Sequence, residues 1–399
     1  MASNLMIKLS IIIPTHNRAK CAIETVASIL ELLEGVQVVV CDSSDEDLLS
    51  HHFLGESFAS RVKYVRTAKS ISVVDNFNLG LRSADGEYLV FLGDDDFVSR
   101  EIMDVVNWAS EHAVDSVKFN FPALYYWRDF YHATRGDVYS GTLHVGEYTG
   151  SVSLYDAKKS VVPALSNFGG GVFGMPRAYA GMISSSLARK IVDKHGALFG
   201  GVSPDIYSSF LISIESEKCV LVDYPVIVPG ASGLSTTGQS NSGAHYGKLR
   251  ENPHISAFQN LVWDKKIPEF YSVPTVWSYS LLKAVEKVQE NNSKFQGTPN
   301  FGRLFLKCFI YFPSSSGETR YALNEAFRSF GRARVVSQLV IAIGSEFYWG
   351  MSRIVTRLKS RYIKKNISVI NALDTSLDGS RALKKYLHEH PVKLKLPSL

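Results

Sequence analysis

Gly86-Glu-Tyr-Leu-Val-Phe-Leu-Gly-Asp-Asp-Asp96 decides how this chain folds: an apolar run rich in β-formers stops at three consecutive carboxylates. Residues 88–92 are too few for a helix and too uniformly apolar for a half-exposed strand, so they predict a central strand of a parallel sheet. The acids fall at its carboxyl end, the edge where open α/β sheets bind ligands. Three adjacent carboxylates repel one another unless they are solvated or paired with a cation. A hard divalent ion such as Mg2+ or Mn2+ meets that need, because it takes oxygen ligands and keeps positions for substrate phosphates. A solvated acidic turn leading into a helix near Ser99, favoured by the helix dipole, accounts for the same residues without any ligand.

The flanking sequence repeats the pattern. Leu9-Ser-Ile-Ile-Ile13 reads as a strand ended by Pro14, and Thr15-His-Asn-Arg18 leads into an amphipathic helix over residues 20–33 that Gly35 ends. Val36-Gln-Val-Val-Val-Cys41 is a second buried strand, closed by the polar turn Asp42-Ser-Ser-Asp45. A strand at 62–65, a helix at 73–82, a helix at 101–112 and a strand at 116–121 continue the alternation, which predicts a doubly wound sheet. Three strand ends, bearing Pro14 to Arg18, Asp42 to Asp45 and Gly93 to Asp96, then converge on one edge and make a nucleotide site plausible.

Beyond Pro122 the pattern loosens into the aromatic run Tyr125-Tyr-Trp-Arg and a hairpin or loops over residues 130–150. Helices at 185–195 and 206–214 and a strand at 219–228 follow. The Gly/Ser/Thr-rich stretch 230–243 reads as a loop, and from residue 255 helices dominate. We expect one large α/β domain over 1–250, divided near residue 120, and a helical, basic region over 251–399.

Of the 399 residues, 45% are hydrophobic and 20% charged, the balance of a globular chain rather than a disordered one. Cys21, Cys41, Cys219 and Cys308 are scattered, which suggests neither a disulfide framework nor a zinc knuckle. No signal-peptide plan opens the chain and no uninterrupted apolar span suggests a membrane crossing, so the expected location is cytoplasmic. Residues 301–399 hold 17 Lys and Arg against 6 Asp and Glu, while the whole chain is only +5. Such polarity points to an acidic partner for the tail.

Four matches, in order, carry a resemblance: Ser10-Ile-Ile-Ile-Pro-Thr-His-Asn-Arg18, the strand ending in Asp42-Ser-Ser-Asp45, Asn78-Leu-Gly80, and Ala84 through Asp96. Together they resemble the family 2 glycosyltransferases of the GT-A fold, a Rossmann-like, mostly parallel sheet flanked by helices. The resemblance covers roughly the first 120 residues, is less sharp to about residue 240, and finds nothing specific beyond 250. It implies inverting transfer of a sugar from a nucleoside-diphosphate donor to an acceptor hydroxyl on a glycan or lipid-linked glycan, as in surface polysaccharide synthesis, with Mn2+ or Mg2+ as cofactor.

Residue by residue, the resemblance assigns Pro14, Thr15, Asn17, Arg18, Asp42, Asn78 and Asp94 to the donor nucleotide. Uracil's imide N–H would suit the Asp42 carboxylate, which favours a UDP-sugar while leaving dTDP open. The family's Asp-x-Asp is departed from, since Gly93 stands where the first acid commonly sits; Asp95 matches the metal-coordinating acid, with Asp96 beside it. His245, after the flexible loop, is a candidate third ligand, and the loop itself a candidate lid. Asp205, opening a helix in Ser203-Pro-Asp-Ile-Tyr207, is the candidate catalytic base, although a helix N-terminus favours an acid without chemistry.

The apolar and cationic mixtures at 301–312 and 335–358 read as amphipathic helices for a membrane surface, or as packing against the catalytic domain or a second subunit. The oligomeric state stays open. A catalytically silent nucleotide-sugar-binding scaffold is the alternative reading. No nucleic-acid module accompanies the basic tail, and the absence of Gly-x-Gly-x-x-Gly after the first strand disfavours dinucleotide oxidoreductases.

Overall fold

Residues 10–13 and 38–41 are wholly buried, as uniformly apolar strands must be when both faces of a sheet are covered. They form β1 (Leu9–Thr15) and β2 (Val36–Asp42), which lie parallel with Thr15 opposite Asp42. The structure, a computed structural model, describes residues 7–55, 58, 61–67, 69, 71–172, 174–233, 246–362 and 366–398. Next in the chain come β3 (Val62–Arg66), β4 (Tyr88–Phe91), β5 (Phe97–Val98), β6 (Ser116–Phe119), β7 (Ala123–Tyr126), β8 (Thr142–Val145) and β9 (Val152–Tyr155). β10 (Met182–Ser184), β11 (Cys219–Val222), β12 (Ile227–Val228), β13 (Gly230–Ala231), β14 (Tyr246–Gly247), β15 (Tyr271–Ser272) and β16 (Ser368–Ile370) complete the series.

The main sheet runs β3-β2-β1-β4-β10-β6-β11-β9. β3, β2, β1 and β4 are mutually parallel, as the alternation predicts. β10 departs from that plan, running antiparallel to both β4 and β6. Three residues are too few to show a periodicity, so this strand is invisible to pattern reading. A hairpin is there but starts before residue 130: β7, in the aromatic run, pairs antiparallel with β8, and β16 returns from the C-terminal region to extend it.

Alternation along β1 sends Ile12 to one face and Ile11 and Ile13 to the other. Ile12 joins Phe77 of the helix Val73–Ser83, Leu187 and Ile191 of Ser185–His195, and Phe210 and Leu211 of Pro204–Glu215. Ile11 and Ile13 face Val26 and Ile29 of the helix Ala19–Leu32 and Val105 and Val106 of Ile102–Glu111. Helices thus cover both sides, and the loops they leave behind gather at the carboxyl edge.

The C-terminal helices share this core. Val276 and Leu282 of Val273–Asn291 and Leu304 and Phe305 of Phe301–Tyr311 belong to the same apolar cluster as Ile12. Residues 366–398 return to the N-terminal half: Arg381 of the helix Ser376–Glu389 pairs with Glu31, and Trp108 Nε1 donates to the Pro397 carbonyl at 2.8 Å. The mainly helical character of the C-terminal region is as expected.

Glu215 ties the helix Pro204–Glu215 to its neighbour by accepting from Lys194 Nζ at 2.7 Å and His195 Nε2 at 3.0 Å. Burial alone would raise its pKa, but Lys194 and His195 outweigh burial and hold it below the usual range. Glu215→Gln should cost about 1.5–3 kcal/mol in urea unfolding at neutral pH. A depressed carboxyl stabilises fully above its unfolded value and loses that stabilisation as pH falls through the folded one. The gap between wild type and variant should therefore close in acid.

Candidate functional site

Thr15, Asp42 and Arg66 end three neighbouring strands in register, so their side chains stand along one edge. Beside them β4 ends in Leu92 and Gly93, and the acids Asp94, Asp95 and Asp96 are each at most 4% exposed. The solvated-turn reading therefore does not describe them. Three carboxylates out of water need compensation, and the fold supplies it from four directions.

Arg18, from the loop after β1, reaches Asp94 Oδ1 at 2.5 Å and Asp95 Oδ2 at 2.6 Å. Burial works to loosen the Arg18 proton, but Asp94 and Asp95 together hold it above the ordinary arginine value. Thr15 Oγ1 donates to Asp94 Oδ2 at 2.6 Å, while Thr25 Oγ1 donates to the Asp94 and Asp96 carbonyls. Ser232 donates to Asp95 Oδ2 through its backbone N–H and its hydroxyl, at 3.2 and 2.9 Å. Trp127 Nε1 donates to the Asp95 carbonyl at 2.8 Å.

Asp96, expected beside a metal, has both carboxylate oxygens taken by backbone: Oδ2 accepts from Gly93 N–H at 3.0 Å and Oδ1 from Gly230 N–H at 2.7 Å. Burial, with Asp95 adding to it, pushes the Asp96 carboxyl well above its usual range. The same two causes raise Asp94, with Arg18 opposing them. Asp95 differs from both: among the described residues its Oδ1 accepts no hydrogen bond, while Oδ2 holds Arg18 and Ser232.

The departure at Gly93 has a steric cause. A Cβ there would lie 2.7 Å from both Asp96 Oδ2 and the Tyr179 hydroxyl. Gly230 is constrained in the same way, since its Cβ would overlap the Asp95 carbonyl.

The remaining expected donor residues divide into two groups. Asn17, in the left-handed region at φ 56°, exchanges two hydrogen bonds with Asp45, each 2.8 Å, and its N–H donates to Ser44 Oγ. Asn17, Ser44, Asp45, Leu48 and Leu49 line an open cavity of about 300 Å³. Pro14 sits on β1 opposite Cys41 and positions this turn. Asp42 is fully buried, accepts from Ser44 N–H and Tyr64 O–H, each at 2.8 Å, and forms an ion pair with Arg66 at 3.0 Å. Asn78 bonds Phe199 through both its amide atoms, joining the helix Val73–Ser83 to the approach of Pro204–Glu215. Its observed partners are thus structural.

Asp205 occupies the first turn of Pro204–Glu215, where Pro204 starts the helix. Its Oδ1 takes both the Ser203 hydroxyl, at 2.7 Å, and the Ile206 N–H, at 2.9 Å. Its Oδ2 has no partner among the described residues. Arg177 lies over the Phe121 ring at 4.7 Å; burial lowers its pKa, opposed by the charges of Asp205, Tyr179 and Asp96. Tyr179 is held neutral by burial, with the three aspartates adding to the effect. His245 lies outside the described residues, as does most of the expected lid.

Sequence reasoning missed Thr25, Trp127, Arg177 and Tyr179, and placed Ser232 only in the loop read as a lid. Met175-Pro-Arg177 and the aromatic run at 125–127 are conspicuous in the chain, but nothing local says that they meet the acids.

Residues 10–160 match the family model described as Glycosyl transferase family 2. An uncharacterized glycosyltransferase of Rickettsia conorii is 29% identical over 99 residues, which is 25% of this chain and only 16% of that protein. Among solved structures, Staphylococcus aureus TarS residues 1–349 in complex with UDP-GlcNAc is 14% identical, covering 82% of this chain and 74% of that one, with TM-score 0.42. A mannosyltransferase from Pyrobaculum calidifontis in complex with GDP-Man and Mn2+ is 13% identical over 83% of this chain and 87% of that one, with TM-score 0.36.

Restoring the acid that Gly93 replaces should harm the protein. Gly93→Asp is expected to lower stability by about 1–3 kcal/mol, the usual cost of overpacking, as read from denaturant midpoints.

Proposed function

We propose that this chain is an inverting glycosyltransferase that moves a sugar from a nucleoside-diphosphate donor to a hydroxyl of a glycan or lipid-pyrophosphate-linked glycan. Surface polysaccharide synthesis at the cytoplasmic face of a membrane is the setting that suits such an acceptor. The observation that carries the reading is a pair of carboxylates, Asp95 and Asp205, each anchored through one oxygen and uncommitted at the other among the described residues.

Asp95 Oδ1 suits a hard divalent ion whose shell is completed by phosphates and water. Asp94 could join it only by releasing Arg18 or Thr15, and Asp96 only by breaking the loop. We therefore assign Asp95 to the metal and Asp96 to holding the turn. Mn2+ or Mg2+ bound there would neutralise the leaving diphosphate.

The nucleoside is assigned to the cavity beside Asn17, Ser44 and Asp45, with Asp42 contributing by fixing Ser44. UDP is the first nucleotide to test. Arg18 keeps Asp94 and Asp95 from repelling each other across the site.

At the other end Ser203 and Ile206 fix the Asp205 carboxylate, so its second oxygen is held ready to accept a proton. The acceptor oxygen attacks the anomeric carbon as the bond from that carbon to the diphosphate oxygen breaks. The proton passes to Asp205, the electron pair departs with the nucleoside diphosphate, and the configuration at the anomeric carbon inverts.

In thermal-shift measurements with Mn2+ and UDP, GDP, dTDP or CMP, one nucleotide should raise the melting temperature of wild type, and Asp95→Asn should abolish that shift. Asp205→Asn should keep the shift yet lose about 10²–10⁴-fold in transfer rate. A wild-type rate in Asp205→Asn removes the base assignment. No shift with any nucleotide favours the scaffold reading instead.

A further inference from the structure

The 31-residue helix Arg332–Tyr362 is half packed and half bare. One face lies on the helix Phe301–Tyr311: Val335 and Ala342 are buried, Arg303 donates to the Ala342 carbonyl at 3.0 Å, and Glu346 pairs with Arg303 at 3.0 Å. On the opposite face Val336, Val340, Ile343, Phe347 and Met351 are all exposed. Their spacings of four, three, four and four residues place them in one stripe about 22 Å long. Val340 is 64% and Phe347 73% exposed, and Ile341 and Tyr348 widen the bare surface. A contiguous apolar face of this kind marks a contact with something other than water.

Charge selects the occupant. Arg332 and Arg334 stand at the start of the helix, and Arg353 toward its end. Its one acid, Glu346, is spent on Arg303. A second copy would meet cations with cations at both ends, whether the helices paired parallel or antiparallel. An anionic surface matches both ends and takes the apolar stripe between them. Among the described residues no helix is long and apolar enough to cross a membrane, so the match is to lying on a bilayer.

We propose that the outer face of Arg332–Tyr362 is a membrane-docking surface, with Val336, Val340, Ile343, Phe347 and Met351 seated among the headgroups of an anionic bilayer and Arg332, Arg334 and Arg353 on its phosphates. The proposal does not depend on the transferase reading, because vesicle binding is measured without donor or acceptor.

The test is co-sedimentation of the full chain with phosphatidylcholine vesicles, with or without phosphatidylglycerol, for wild type, Val340→Asp/Phe347→Asp and Arg332→Glu/Arg334→Glu. Wild type should bind the anionic vesicles, bind phosphatidylcholine alone far less, and be weakened by salt. The apolar double variant should partition roughly tenfold or more weakly at an unchanged melting temperature, since both side chains are solvent-exposed. The charge-reversal variant should lose its preference for anionic vesicles. The proposal is overturned if wild type leaves anionic vesicles unbound, or if the apolar variant binds them as wild type does. It is equally overturned if wild type sediments as a dimer that the apolar variant dissolves while vesicles stay bare, which would make the stripe a subunit contact.

Discussion

Arg18 against Asp94 and Asp95 is the interaction on which the rest of the site depends. Three consecutive carboxylates cannot be buried together at neutral pH unless a cation and several donors come with them. The guanidinium supplies the charge, and Thr15, Thr25, Trp127, Ser232 and two backbone amides supply the donors. Those donors come from β1, the helix after it, the β7 hairpin and the segment after β12. The acidic turn is thus where separate parts of the chain are obliged to meet, and its location at the end of β4 fixes which edge of the sheet becomes the working edge.

The three aspartates look alike in the sequence and have different surroundings. Asp94 is tied to Thr15 and Arg18, Asp96 to two backbone N–H groups, and Asp95 keeps one oxygen open. An uncommitted oxygen in a buried setting is what a hard cation can use. Asp42 differs again: Ser44, Tyr64 and Arg66 all meet its carboxylate, which organises the Asn17–Ser44 turn.

The C-terminal region joins two physical tasks. Its inner faces complete the apolar core that begins at β1, while the long helix Arg332–Tyr362 leaves a cationic, apolar face uncovered. The final segment returns to β8 and to the helix Ala19–Leu32, so the region that would meet a surface is tied back to the sheet.

Much of the fold was legible in the chain. β1, β2, β3 and β4, the helices between them and those at 185–195 and 204–215 announce themselves by apolar runs, periodicity and caps, which are local properties. The positions of Thr15, Arg18 and the acids at one edge follow from that alternation. Four things were not legible: the antiparallel β10, the clash that requires glycine at 93, the saturation of Asp42 and Asp96, and the gathering of Trp127, Arg177, Tyr179 and Ser232 around the site. Each depends on contacts between segments far apart in the chain, and a residue's own neighbours in sequence carry no record of how many hydrogen bonds its side chain will be asked to make. The sequence by itself determined the alternation of strands and helices in the first half and the acids' place at a strand end; tertiary packing alone decided which of those acids keeps an oxygen to offer.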